Sequence, residues 1–398
     1  MRYLSIGLML ACLSLPAWAV QADFTLRGQV RQQQASDSVL FPAEDGLALL
    51  GALDTSLEHK GLRLATTLWY EHRDEQNAYS LELSELFYDF SGASWQWSLG
   101  KKKLDWGLGY GFRPLDMFSP TSPLALYTAV APGVWMASGD YFTEAGTFSL
   151  LCSQSQPDYA IADKPINPGL GCGGRYYHIG AEWEWQLLPH YDSQFKTRLG
   201  GSASRVVTDA LEIHTSLLWQ HRYSSPVFYP GHIEADYFVN PVVTEQKKGA
   251  WQALAGINYS TDSGINLIFE YWYDSRSPAR AQWRELLDTA TFQATHTEEN
   301  PLYRHQLSAE RQMFAAQNLF RHNLMLHLRL PGGRWRPELT LVANPEDGGL
   351  LASTEVQYYC ATGHHLSLGA RWYRGPAAAV YRQLDYGRTI YLGAELVF

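Results

Sequence analysis

Charged residues in this chain recur at even spacings inside apolar runs instead of clustering. Arg27 and Arg31 share one phase, as do Arg63, Glu71 and Arg73, then Glu182 and Glu184, then Arg329, and then Arg336 and Glu338. Lys102, Glu270, Arg321, Glu355, Arg371 and Glu395 stand in segments of the same kind. Such residues offer three chemistries: acid–base work by paired carboxylates, metal ligation, or a charged wall that solvates a polar solute. Glu182 and Glu184 have the spacing of a carboxylate pair on one strand face. A Gly-x-Ser-x-Gly elbow and a His-Glu-x-x-His helix are both missing from the sequence. His364 and His365 fall on opposite faces of a strand and cannot chelate together. The sequence has neither Cys-x-x-Cys-His nor a Gly-Lys-Ser/Thr phosphate loop, and basic runs suited to nucleic acid are absent. The expectation is no enzyme, no cofactor and no metal site, with the charges forming a polar wall.

The elements that carry these charges are strands. Residues 62–73 set Leu62, Leu64, Thr66, Leu68 and Tyr70 against Arg63, Thr67, Glu71 and Arg73, a period of two with one apolar face. Similar segments cover 23–31, 47–58, 79–90, 95–103, 133–142, 147–153, 175–187, 195–205, 211–222, 251–260 and 264–274. They resume at 318–330, 335–344, 350–360, 364–374 and 388–398. Residues 195–205, with adjacent Gly200 and Gly201, are the weakest strand candidate. Ser277 and Pro278 suit a helix N-cap and first position, and Trp283, Leu286, Leu287 and Ala290 recur at helical spacing, so a short helix is expected to about Thr291. Cys152 and Cys172 flank a Pro/Gly-rich loop, and a disulfide between them is one expectation beside two free thiols.

The ends say where such a chain works. Met1-Arg2, an apolar run from Leu4 to Leu15 and small residues at Ala19 and Ala22 have the form of a secretory signal peptide, here taken as 1–22, leaving 23–398 as one domain. Charged residues make up 18% of the chain, below the roughly 25% of soluble domains, and Trp and Tyr together outnumber Phe. An exported, aromatic-rich chain without a long apolar helix points to the other backbone-satisfying solution in lipid, a closed barrel. The last strand ends Tyr391-Leu-Gly-Ala-Glu-Leu-Val-Phe398 and resembles the closing strand of Gram-negative outer-membrane β-barrels. Gly100-Lys-Lys-Lys-Leu-Asp-Trp106-Gly107 resembles a segment of porin-like and exporter-like members of that class.

The resemblance implies an all-β, transmembrane antiparallel barrel in the outer membrane. Sixteen strands are expected, with fourteen or eighteen as alternatives, because long and short connections fall out of step between Arg175 and Arg222. A charge facing lipid at mid-bilayer costs roughly 2–4 kcal/mol for Arg or Lys, so the charged phase faces the lumen. All the charged residues named above are therefore pore-lining candidates; of the three adjacent lysines only Lys102 faces inward unless a bulge forms at Gly100. Loops over 100–132 and 274–317 are expected to narrow the passage. The function implied is a channel for small polar solutes, anions among them, with closed-barrel polymer or lipid export as the alternative and a rim enzyme as a third. Implied partners are outer-membrane lipid, the barrel-assembly machinery and the solute; nucleic acid is not implied, and a homo-oligomer is allowed. Deleting Phe398 should lower the inserted, heat-modifiable fraction on a gel, whereas Glu395→Ala should insert normally and change only what passes.

Overall fold

The computed structural model describes residues 20–73, 75–118, 132–154, 169–233, 237–360 and 363–398. The proposed signal sequence lies outside these residues up to position 19, while Gln21 and Ala22 already pair with Glu58 and Leu57. The first strands are β1 (Gln21–Ala35), β2 (Gly46–His59), β3 (Leu62–Arg73), β4 (Gln76–Ser91), β5 (Trp95–Lys102) and β6 (Val134–Thr143). Next come β7 (Gly146–Gln154), β8 (Leu170–Ile179), β9 (Trp183–Asp192), β10 (Lys196–Thr208), β11 (Leu211–Phe228) and β12 (Val242–Ser260). The last six are β13 (Asn266–Asp274), β14 (His322–Arg329), β15 (Trp335–Ala343), β16 (Leu350–Tyr359), β17 (His365–Arg374) and β18 (Tyr386–Val397).

Each strand pairs antiparallel with its sequence neighbours, and β1 pairs with β18 to close an eighteen-stranded barrel. The seam runs from Thr25 opposite Val397 to Ala35 opposite Tyr386, and Phe24 and Phe398 exchange backbone hydrogen bonds of 3.1 and 2.8 Å. Short turns at one end and long loops at the other orient the molecule, with the long loops outside the cell. Large apolar residues such as Leu68, Leu99, Leu187 and Leu392 stand exposed on the outer face, as hydrocarbon requires. Trp95, Trp97 and Tyr141 stack at the turn end, 5.5 and 4.8 Å apart, and Trp219 and Trp251 face outward toward the loop end. These are the aromatic girdles of a bilayer-spanning wall.

Eighteen strands correct the preferred sixteen. Residues 195–205 form a true strand, β10, and the misreading lay in 175–187. A turn at 180–182 divides that run into β8 and β9, where the Gly180 amide donates to the Trp183 carbonyl at 3.0 Å. The split restores the alternation of short and long connections. Cys152 and Cys172 sit directly opposite each other on β7 and β8 and are disulfide bonded.

The loop between β13 and β14 carries α1 (Arg280–Thr295) and α2 (Leu302–Glu310). Helix α1 begins after Ala279, later than Ser277 suggested, because Gln282 Oε1 accepts the Ala279 amide. Trp283, Leu286, Leu287 and Ala290 are buried as their spacing required. They pack with Leu40 of the β1–β2 loop, Val380 and Tyr381 of the β17–β18 loop, and Trp272, Met325, Val342 and Leu351 of the barrel wall. The external cap and the upper lumen thus share one apolar core.

Glu310, at the end of α2, is fully buried, with no cation among the described residues beside its carboxyl group and the Gln293 side chain as its polar neighbour. Burial pushes its pKa from the ordinary 4.5 up to about 8. The folded cap therefore keeps a proton that the unfolded chain releases, and cap stability falls as pH rises from about 4.5 to about 8. Glu310→Gln, which cannot ionise, should match the wild type near pH 4 and exceed it at pH 9 by at least ~1 kcal/mol, read as a higher thermal midpoint.

Candidate functional site

The chain does not pass directly outward after β5. Residues 103–118 turn into the barrel, and residues 119–131 lie outside the described set. Glycine makes this path possible. Gly109 has a φ of +124°, and a Cβ on Gly111 would sit 2.6 Å from Met325 Sδ, so the backbone runs against the wall where no side chain fits. Within the segment Asp116 accepts the Trp106 and Gly107 amides at 3.0 and 2.5 Å, and Arg113 donates to the Gly109 carbonyl at 2.9 Å.

Glu270 on β13 holds the segment in place. Its two carboxylate oxygens accept the amides of Tyr110 and Gly111 at 2.6 and 2.8 Å, and His214 Nε2 of β11 lies 3.0 Å from Oε1. The Tyr110 hydroxyl reaches His327 Nε2 on β14 at 3.3 Å, and His327 Nδ1 lies 2.9 Å from Thr340 Oγ1 on β15. At the other end of the segment Gln186 of β9 donates to the Trp106 carbonyl at 2.5 Å. Leu115 packs where Gly200 of β10 leaves space. Leu104, Met117 and Phe118 also pack with Val134, Met136 and Leu151, and Arg175 lies 5.4 Å from the Trp106 ring, so the contacts run from β6 to β14 and place the segment against that arc. On a closed cylinder of this size the space left over is bounded chiefly by β15–β18 and β1–β5.

That remaining wall carries paired charges on the face opposite the exposed apolar residues. Arg27 meets Asp54 at 2.6 Å, Arg63 meets Glu85 at 3.1 Å, Arg73 meets Glu71 at 2.9 Å and Lys102 meets Asp89 at 2.9 Å. Arg329 meets Glu338 at 2.7 Å, and the Arg336 guanidinium stacks 4.1 Å from the Tyr359 ring. Tyr391 donates to Glu355 at 2.6 Å. Arg31 stands opposite Tyr391 across β1–β18, and Arg371 opposite Thr389 across β17–β18, so both flank that hydroxyl at mid-wall. Glu395 lies 3.9 Å from His365 at the turn end.

Three expected positions move. Glu182 is in the turn between β8 and β9, where it pairs with Arg205 at 2.8 Å, because the run that put it beside Glu184 is a hairpin. Glu184 stays on β9 and accepts the Tyr177 hydroxyl at 2.5 Å. Arg321 precedes β14 and donates to the Ser277 carbonyl at 3.2 Å, tying down the cap. Glu270 does not border the open space, since the inward segment covers it completely. Regular pairing through Gly100, without a bulge, leaves Lys102 as the inward lysine. The sequence reading missed Asp54, which strand phase alone would have found, and Glu85 and Asp89, which are hidden by a bulge in β4 that switches the phase between Leu83 and Glu85. It also missed Tyr110 and His214, which no local signal marks.

A closed antiparallel barrel with an apolar outer wall, a polar inner face and an inward-folded loop has the fold of porin-like outer-membrane β-barrels. Searches against protein-family models and curated proteins give no match. Among solved structures, OccAB1 of Acinetobacter baumannii aligns over 95% of this chain and 96% of its own, with a TM-score of 0.58 and 8% identity. OccK5 (OpdH) of Pseudomonas aeruginosa aligns over 95% and 98%, with a TM-score of 0.57 and 8% identity. Wzi, an Escherichia coli outer-membrane protein involved in group 1 capsule assembly and described as a carbohydrate-binding β-barrel, aligns over 95% and 85%, with a TM-score of 0.53 and 10% identity. At these identities the likeness is one of fold.

Losing both amide acceptors at Glu270 should cost roughly 2 kcal/mol of docking. Glu270→Ala is expected to lower hydrogen-exchange protection of Tyr110 and Gly111 about 30-fold, with the strand amides unchanged.

Proposed function

We infer that this barrel is a narrow channel for small polar solutes, and that it performs no covalent chemistry. The observation that carries the reading is the division of the lumen: one arc is filled by the inward segment, and the other presents alternating guanidinium and carboxylate groups. Filling one arc narrows the passage. The paired charges then offer donors and acceptors at close intervals, which a small hydrated solute can exchange for its own water. Because most of the basic groups are matched by carboxylates, the wall as a whole imposes no single sign. At mid-wall the two positive charges of Arg31 and Arg371 flank Tyr391 and favour anions locally, whatever else they bond. The outer-membrane lipid, the assembly machinery and self-association are further expectations of the same reading.

A second reading draws on the rings along the open arc. Trp69 lies 5.5 Å from the Arg27 guanidinium, and Tyr359 and Tyr391 stand near Arg336 and Glu355. Rings beside bidentate polar groups suit a polyhydroxylated ligand, and Wzi gives a barrel of similar fold described as carbohydrate binding. In that case the cap and inward segment would close the barrel and the wall would bind a glycan without passing it.

Planar-bilayer recording separates the two. The channel reading expects discrete single-channel steps, with the anion-to-cation permeability ratio falling at least about twofold in Arg31→Ala/Arg371→Ala. An absence of steps in wild type, together with saturable oligosaccharide binding lost in Trp69→Ala, would establish the closed, glycan-binding barrel instead.

A further inference from the structure

The lipid-facing wall is not even. On β9 the outward positions are Trp185, Leu187, Pro189 and Tyr191. The strand on either side is small at the same level. Gly174 of β8 lies opposite Leu150 of β7, and Gly201 of β10 lies between Leu187 and Leu217 of β11, with Ala203 opposite Trp185. Two troughs result. One, of about 540 Å³, runs between Phe148, Leu150 and Tyr176 on one side and Leu187 and Pro189 on the other. Its neighbour, of about 530 Å³, runs between Trp185 and Leu187 on one side and Leu217, Trp219 and Trp251 on the other. Each has the volume of a ligand pocket, roughly 300–1,000 Å³.

Their position limits the occupant. Both open outward from the middle of the strands, where only hydrocarbon is present. They lie along strands two apart, hence about 10 Å from each other, with the β9 ridge between them. A single acyl chain fills one trough, whereas a lipid with two or more chains can straddle the ridge. At the extracellular end of that ridge Lys196 leans over Tyr191, its ammonium 5.9 Å from the ring, and donates to the Ser193 carbonyl at 2.8 Å. An ammonium has three donors, so donors remain for an anionic headgroup at the height where headgroups lie. We propose that this face is a specific site for an anionic, multi-chain lipid of the outer leaflet, with chains in the troughs along β8 and β10 and its headgroup on Lys196.

Filling the troughs asks the Ser149 carbonyl beside Gly174 and the Gln186 carbonyl beside Gly201 to yield by a few tenths of an ångström. Neither Gly174 nor Gly201 has a positive φ, and an added Cβ meets nothing closer than 3.3 Å at Gly174 and 3.1 Å at Gly201. The test uses the full barrel in vesicles of phosphatidylcholine containing one part in ten of phosphatidylglycerol brominated on its acyl chains, with tryptophan quenching as the readout, since three tryptophans border the second trough. Wild type should be quenched more by brominated phosphatidylglycerol than by brominated phosphatidylcholine at equal content. Gly174→Leu/Gly201→Leu should lose at least half of that excess while remaining heat-modifiable. Lys196→Gln should abolish the headgroup preference and keep quenching by either lipid. If the double variant does not insert, Ala203→Leu fills the second trough alone and is read in the same way. Equal quenching by both lipids in wild type overturns the proposal, as does an unchanged excess in the filled variants. Cross-linking of two copies through this face with no lipid preference would assign it to self-association instead.

Discussion

The constraint on which everything else rests is that hydrocarbon offers no hydrogen-bond partner to a strand edge. An open sheet would leave a row of bare amides and carbonyls, each costing several kcal/mol. The chain answers by pairing β1 with β18, down to the reciprocal bonds of Phe24 and Phe398. Once the cylinder is closed, the period of two in every strand acquires a meaning. One phase must be apolar because it meets lipid, and the other is free to carry Arg27, Arg63, Glu338 or Glu355. The polar wall is thus a by-product of closure as much as a functional device.

A cylinder of eighteen strands encloses more space than side chains alone can fill. The protein occupies part of it with backbone. Residues 103–118 fill one arc from within, while α1, α2 and the neighbouring loops fill the outer end, and Trp272, Phe112 and Met325 join both to a single apolar cluster. The barrel therefore has a soluble-protein core inside a membrane-protein wall. The charged arc is matched residue to residue across neighbouring strands, which offsets the cost of burying Arg31, Arg371 and Tyr391 at mid-wall and gives apolar loops little to pack against.

Much of this was legible in the sequence. Alternation and the two ends gave the class of fold, and phase alone placed Arg27, Arg31, Arg73, Lys102 and Arg371 on the inner face. The failures have physical causes. The run from Tyr177 to Trp185 keeps apolar or aromatic residues at every odd position straight through a three-residue turn, so nothing in its period betrays that Tyr177 faces in and Trp185 faces out. Gly200 and Gly201 looked like strand breakers, yet Gly200 is small because Leu115 packs on it and Gly201 is small on the lipid side. The grip of Glu270 on Tyr110 joins residues 160 positions apart, and no local pattern reports such a bond.

That last distance has a kinetic side. The inward segment is made early and its anchors come late: Gln186, then His214, then Glu270, then His327. The seam that shuts the cylinder needs the final strand. Contacts this remote in sequence form slowly. A segment that must reach four strands on the inner wall is most easily seated while that wall is still a curved sheet with a free margin. The order of events thus runs from content to container: the chain wraps its wall around a segment already lying within, and the terminal Phe398 fastens the wrapping. A barrel sealed before its contents were seated would have to thread sixteen residues through its own mouth, so the chain's last strand also sets the deadline for its interior.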